Sequence, residues 1–162
     1  MAERPVLNPR EIVAQGRKEA RALGSSRVEA EHLLLALAAR PETSAGQLLT
    51  AAGLDHGAVR EALDLEFERS LGAVGIWLHG FCLPEERLPV VGGLRLAQSA
   101  KLAFERAIKL RGARHDRGFD HLHLLFGIVS AEGGTVARAL AVAGVDRGAL
   151  AARVKALLDR AA

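Results

Sequence analysis

The stretch Glu31-His32-Leu33-Leu34-Leu35-Ala36-Leu37, followed by Ala52-Gly53-Leu54-Asp55-His56-Gly57-Ala58, decides the fold because both parts recur. His32-Leu33-Leu34 returns as His123-Leu124-Leu125, and the second string returns as Ala143-Gly144-Val145-Asp146-Arg147-Gly148-Ala149, each at an offset of 91 residues. Between 31–63 and 122–154, nine of 33 positions are identical without a gap. A chain this rich in Ala and Leu would give roughly three by chance. Leu37/Ile128, Ser44/Thr135 and Leu63/Val154 are conservative pairs. The chain therefore reads as two copies of one unit.

Each unit reads as four helices. In the first copy, Ile12, Val13, Gly16, Ala20 and Leu23 share a face of a helix over about 9–23, ended by Gly24-Ser25-Ser26. A second helix over about 29–39 carries a buried stripe of Leu33, Leu34, Leu37 and Ala38, with Glu29 and Glu31 at its electropositive start and Pro41 beyond its end. Ser44 is placed to cap a third helix running to Ala52, and Gly53 supplies the positive φ past its end. Asp55 caps a fourth, with Val59, Ala62, Leu63 and Phe67 facing inward.

The second copy begins with a helix over about 94–111, with Leu96, Ala100, Ala103, Ala107 and Leu110 inside, and aligns there only at an offset of 87. Four extra residues therefore fall in the loop Arg111 to Gly118. Helices near 120–131, 135–143 and 146–160 follow, with Thr135 and Asp146 as caps and Gly144 as a stop. Between the copies, residues 72–92 hold four of the 17 glycines and two of the five prolines, with Trp77, Phe81 and Cys82. Such a composition predicts a connector with little helix.

Composition supports an all-α chain. Alanine (30) and leucine (26) together make up 56 of 162 residues, aromatics only 4%, and tyrosine is absent. The longest apolar run, Leu33 to Ala39, is far below the roughly 20 residues of a membrane span, and the N-terminus lacks a signal peptide's apolar stretch. A soluble, cytoplasmic protein is the expectation. Cys82 has no partner for an internal disulfide, and no Gly-Lys dipeptide is present for a P-loop. Charge is uneven: 0 net over 1–63, −3 over 64–91 and +6 over 92–162.

Glu19-Ala20-Arg21, Leu23-Gly24, Val28, the Glu31 to Leu37 string and the Ala-Gly-Leu-Asp before the fourth helix resemble the Clp N-terminal repeat domain, which precedes the AAA+ rings of unfoldases such as ClpC and ClpA. The resemblance covers roughly residues 5–160. It implies two pseudo-twofold-related four-helix repeats forming one eight-helix bundle, a single domain with repeat 1 over about 5–70, a connector over 71–92 and repeat 2 over about 93–160. It further implies a non-enzymatic receptor, without a cofactor, for substrate proteins, adaptor proteins or small cyclic peptides in the service of a Clp unfoldase. With the chain ending at Ala162, short of any motor, the expectation is a stand-alone accessory, decoy or sequestering protein.

In the ClpC branch, the glutamate of each Glu-His-Leu-Leu motif and a threonine at the start of each first helix recognise phosphoarginine. Glu31 matches the first glutamate, Leu122 replaces the second, and the threonine positions fall on Val6 and Gly93. A carboxylate accepts hydrogen bonds from a guanidinium group, and a hydroxyl holds phosphate, so a copy without either loses that chemistry. The expectation shifts from phosphoarginine toward apolar ligands in an inter-repeat groove formed by Val6, Leu7, Gly93 and Leu94, with Glu31 at its polar edge.

Other patterns compete with this reading. His32 and His123 recur beside core leucines, which points to one packing and hydrogen-bonding role kept in both copies. His115, Asp116, Asp120, His121 and His123 are the densest set of metal-ligand types, but a helix places His121 and His123 about 200° apart and no metal site is expected. Cys82 with His79 lacks an orienting group for nucleophilic catalysis. Nucleic-acid binding is the alternative function: Lys101, Arg106, Lys109, Arg111, Arg114 and Arg117 form a basic stripe in the second copy that would neutralise phosphates, although no aromatic platform interleaves with it.

Overall fold

The computed structural model of the chain describes residues 6–75 and 93–160. Among these described residues eight helices follow in order: α1 (Pro9–Ala22), α2 (Ala30–Ala38), α3 (Ser44–Ala51), α4 (His56–Ala73), α5 (Gln98–Arg114), α6 (His121–Val129), α7 (Thr135–Val142) and α8 (Arg147–Asp159). Among the described residues there is no helix long and apolar enough to cross a membrane. Trp77, His79, Phe81 and Cys82 lie outside the described residues.

Local chemistry accounts for most boundaries. The side chains of Asp55, Asp120 and Asp146 accept backbone N–H bonds at the starts of α4, α6 and α8. Gly53 and Gly144 take positive φ after α3 and α7, as those turns require. Two caps differ from the sequence expectation. Thr43, not Ser44, accepts from Gly46 N–H (3.1 Å) ahead of α3, and Gly134, not Thr135, is the N-cap of α7. The pattern of hydroxyl residues left a one-residue ambiguity that backbone geometry resolves. Helix α4 also runs on to Ala73, and its inward residue near the end is Glu66, whereas Phe67 is 51% exposed.

The largest departure is at α5, which starts at Gln98 rather than near 94 and ends at Arg114, where His115 adopts a left-handed φ of 56°. Residues 94–97 are held extended by the other unit. Val28 N–H donates to Arg95 O (2.9 Å), and Ala97 N–H donates to Val28 O (2.8 Å). A related crossing lies on the far side, where Leu7 N–H donates to Phe119 O (2.8 Å). Phe119 is the second-copy counterpart of Val28 at the offset of 91. Each unit thus ties its leading segment to the loop before the leucine-rich helix of the other.

Those leucine-rich helices, α2 and α6, form the centre. α2 packs against α1, α3, α4, α5, α6 and α7, and α6 packs against α2, α3, α5, α7 and α8. Leu33, Leu35, Leu37, Leu124 and Leu125 are fully buried, each contributing about 1.5–3 kcal/mol by leaving water. Close approach needs small residues. On α5, Ala100, Ala103 and Ala107 are fully buried against α6, and a Cβ on Gly127 would overlap the Ala103 carbonyl. In the first unit, the glycine is on the outer helix instead: Gly16 faces Leu33 and Val28 side chains, 3.2 Å from where its Cβ would be.

Gly127→Ala is therefore expected to destabilise the protein by about 2 kcal/mol or more, because backbone atoms must move to admit the methyl group. Gly16→Ala, which meets only side-chain methyl groups, is expected to be milder. Urea unfolding midpoints of both variants give the comparison.

Candidate functional site

The two crossings repeat one plan with different chemistry. At the first, residues 93–99 meet the start of α2. Ser99 Oγ accepts from Ala30 N–H (2.9 Å) and donates to the carboxylate of Glu29, the N-cap residue. Glu29 N–H donates to His32 Nδ1 (2.9 Å). Arg17 of α1 donates from Nε to Leu94 O (3.0 Å), and its guanidinium lies beside Gly93. This crossing is polar.

The second crossing is more apolar. Leu7 pairs with Phe119, and Val6 lies beside Gly118. Asp120 caps α6 by accepting from Leu122 N–H (2.9 Å) and His123 N–H (3.1 Å), and its own N–H donates to His123 Nδ1 (3.2 Å). His32 and His123 thus play one structural part, each accepting the N–H of the residue that opens its helix. Leu122, in the place of Glu31, is buried in the core.

Glu31 is the one residue of α2 that is not buried. Partial burial pushes its carboxyl above the usual carboxylate range, and Glu29 and Glu66 push it further; its own N–H and Arg138 pull the other way. Glu66 on α4 is 5% exposed. It accepts from Ser70 Oγ (2.6 Å) and from Arg138 Nε (2.6 Å) on α7, an ion pair between the two units. Burial opposes ionisation of Glu66, but these bonds and the Arg138 charge hold its pKa below the ordinary value. Glu29, Glu66 and Arg138 thus all act on the Glu31 carboxyl, while the Arg138 guanidinium is bonded to Glu66.

Of the five groove residues expected from sequence, Val6 is 70% exposed, Gly93 is exposed and Glu31 is half-buried, whereas Leu7 and Leu94 belong to the core. The structure places Val6 and Leu7 at one crossing and Gly93, Leu94 and Glu31 at the other. Arg17, Ser99, Glu66 and Arg138 were missed. Ser99 and Arg17 carry no local signal for partners 70 or 77 residues away, and the Glu66–Arg138 pair spans the two units.

The basic stripe divides. Arg106 donates to Gly127 O (3.2 Å), Arg111 to Asp116 O (3.3 Å), and Arg114 to Asp116 (3.0 Å) and Asp159. Lys101, Lys109 and Arg117 are exposed. Among the described residues no group of three or more His, Cys, Asp or Glu is arranged to hold a metal ion.

Comparison with known proteins agrees with this architecture. The sequence profile of the Clp repeat (R) N-terminal domain matches residues 8–75. The fold is similar to the N-terminal domain of the caseinolytic protease associated chaperone ClpD from Arabidopsis thaliana, with a TM-score of 0.67 and 22% identity over 92% of this chain and 90% of that one. It is also similar to the Hsp104 N-terminal domain from Candida albicans, with a TM-score of 0.61 and 18% identity over 94% and 89% of the two chains. No curated protein matches the chain.

Two outcomes follow from the electrostatics at α2. A carboxyl whose folded pKa is raised weakens the fold as pH rises past its unfolded value. Glu31→Gln, a mimic of the protonated form, is therefore expected to keep or increase stability at pH 7, and the gain should vanish below about pH 4. Arg138→Ala leaves the Glu66 carboxylate with Ser70 alone and is expected to destabilise by about 1–3 kcal/mol. Denaturant titrations at pH 7 and at acidic pH measure both.

Proposed function

We propose that this protein, resembling the Clp repeat N-terminal domain in sequence over residues 8–75 and in fold over most of its length, is a non-catalytic docking module. It captures substrate proteins, adaptor proteins or cyclic peptides of a Clp-type unfoldase. The observation that carries this reading is Glu31. It stands in the matched unit as a half-buried carboxylate, held where burial and two neighbouring glutamates disfavour its charge. A carboxyl whose charge is disfavoured by burial and by two neighbouring glutamates is a candidate for ligand contact.

Two docking positions are supported, one at each crossing. The first offers the half-buried Glu31 carboxyl at the start of α2, which suits a hydrogen-bonding group, with the Arg17 guanidinium beside Gly93. The second offers the exposed side chain of Val6 beside Gly118 and suits an apolar one. Val6 and Gly93 stand where the phosphoarginine-binding threonines would be, so apolar ligands are preferred over phosphorylated ones. Acting in trans, the chain would compete with an unfoldase's own N-terminal domain for the same clients or adaptors.

The test keeps the fold intact by avoiding Leu7 and Leu94, whose side chains are buried. Fluorescence anisotropy with a labelled, permanently unfolded model protein is expected to show saturable binding. Val6→Asp should weaken it about tenfold, corresponding to about 1.4 kcal/mol, with an unchanged circular dichroism spectrum. In excess over a Clp-type unfoldase and its protease, the chain is expected to slow degradation of that model protein. Absence of both binding and competition overturns the reading.

A further inference from the structure

The histidines that open α2 and α6 occupy equivalent positions in unlike surroundings. His32 accepts from Glu29 N–H at Nδ1, and burial holds its pKa below the ordinary value against the pull of Glu29 and Glu19. His123 also accepts a backbone N–H at Nδ1, but that atom lies 3.0 Å from Asp120 Oδ1, and its Nε2 lies 2.9 Å from Asp116 Oδ2. The residue is 2% exposed and its ring stacks on Phe119, with centroids 5.8 Å apart. Asp116 is anchored in turn by Arg114 Nε (3.0 Å), and Arg114 also pairs with Asp159 at the end of α8. Arg111 Nε donates to the Asp116 carbonyl (3.3 Å).

A neutral imidazole has one N–H and serves one carboxylate. With the proton on Nε2 it donates to Asp116, while its Nδ1 lone pair accepts the Asp120 N–H and also faces an Asp120 carboxylate oxygen at 3.0 Å. An imidazolium donates to both. We propose that His123 is a proton-operated latch that, when charged, ties Asp116 in the α5–α6 loop to Asp120 at the start of α6. The latch fixes Phe119 between them and, through the Phe119 carbonyl, the Leu7 segment that carries Val6. Loss of the proton exchanges the charge-assisted Nδ1–H bond to the Asp120 carboxylate for the weaker neutral bond from the Asp120 N–H to Nδ1, and so loosens the crossing. The charged groups facing the ring are Asp120 on its own helix and Asp116 from the loop; Arg114 from α5 and Asp159 from α8 act through Asp116.

Burial opposes the charge on His123, yet the hydrogen bonds to Asp120 and Asp116 outweigh it and raise the pKa above the ordinary histidine value. The stabilisation is thus fully present below about pH 6.5 and is lost as pH rises through the folded-state pKa. In the first unit the sign is opposite, since His32 favours the neutral form. One repeated histidine favours two different charge states because the His123 ring has a carboxylate within hydrogen-bond distance of each nitrogen, Asp120 at Nδ1 and Asp116 at Nε2, whereas burial dominates at His32. The latch is independent of the docking reading, because it concerns the order of the crossing and not its ligand.

Histidine ring NMR on the full chain tests it. Expected are a titration midpoint for His123 above that of an unstructured histidine, both ring nitrogens protonated below that midpoint, and a neutral His32 at the same pH. Leu7 amide protection from hydrogen exchange, corrected for the intrinsic rate, should fall at least about tenfold as pH rises through the His123 midpoint. Asp116→Asn should lower that midpoint, and His123→Gln should make Leu7 protection independent of pH. A His123 midpoint at or below the ordinary value, or Leu7 protection unchanged across it, overturns the proposal in the wild-type protein alone, whether or not the variants fold.

Discussion

The structure depends on one constraint: α2 and α6 are buried on almost every side. All residues of α2 except Glu31, and all of α6 except Phe126, are buried. A helix exposed to water leaves its first N–H groups to solvent, but these two begin inside the protein, where an unpaired donor destabilises by roughly 1–3 kcal/mol. Their starts are therefore built from side chains and from the other unit. His32 and His123 accept the opening N–H, Asp120 caps α6, and Ser99 reaches across from α5 to Ala30 N–H. The crossings at Val28 and Phe119 follow, since the segments that bring these partners must run past the same two helix ends.

A repeated solution to this constraint did not produce two identical sites. At the first crossing the residues added around the common histidine are Glu29, Glu31, Ser99 and Arg17; at the second they are Val6, Phe119, Asp116 and Leu122. The substitution of Leu122 for Glu31 exchanges a half-buried carboxylate for a core side chain. The four-residue longer loop of the second copy supplies Asp116, which His32 has no equivalent for. The two crossings of the repeated fold thereby differ in character, one polar and one more apolar. The Glu66–Arg138 pair joins the units, and both of its charges act on the Glu31 carboxyl.

Much of the architecture was legible because its signals are local. The 91-residue self-match, the leucine stripes, and caps such as Asp55 and Asp146 each involve residues within a turn or two of one another, and all eight helices follow from them. The misses have a common cause. Residues 94–97 have helical composition but are drawn out by backbone bonds to Val28, a partner nearly 70 residues away. Phe67 fits the inner face of α4 by apolar character, yet Glu66 is inside because Arg138 of the other unit neutralises it. Three arginines of the basic stripe bond to Gly127, Asp116 and Asp159, contacts that a charge count does not contain.

By itself, the amino-acid sequence determined that this protein is an all-α repeat with two leucine-rich central helices opened by histidines, and that Glu31 lacks a counterpart in the second copy. Only the tertiary structure decided which carboxylates meet those histidines, which groove residues sink into the core, and which cations stay exposed. The physical reason is range. Periodicity and capping are written in neighbouring residues, whereas the protonation state of His123, the strain on Glu31 and the burial of Leu7 and Leu94 are set by groups that only folding brings together.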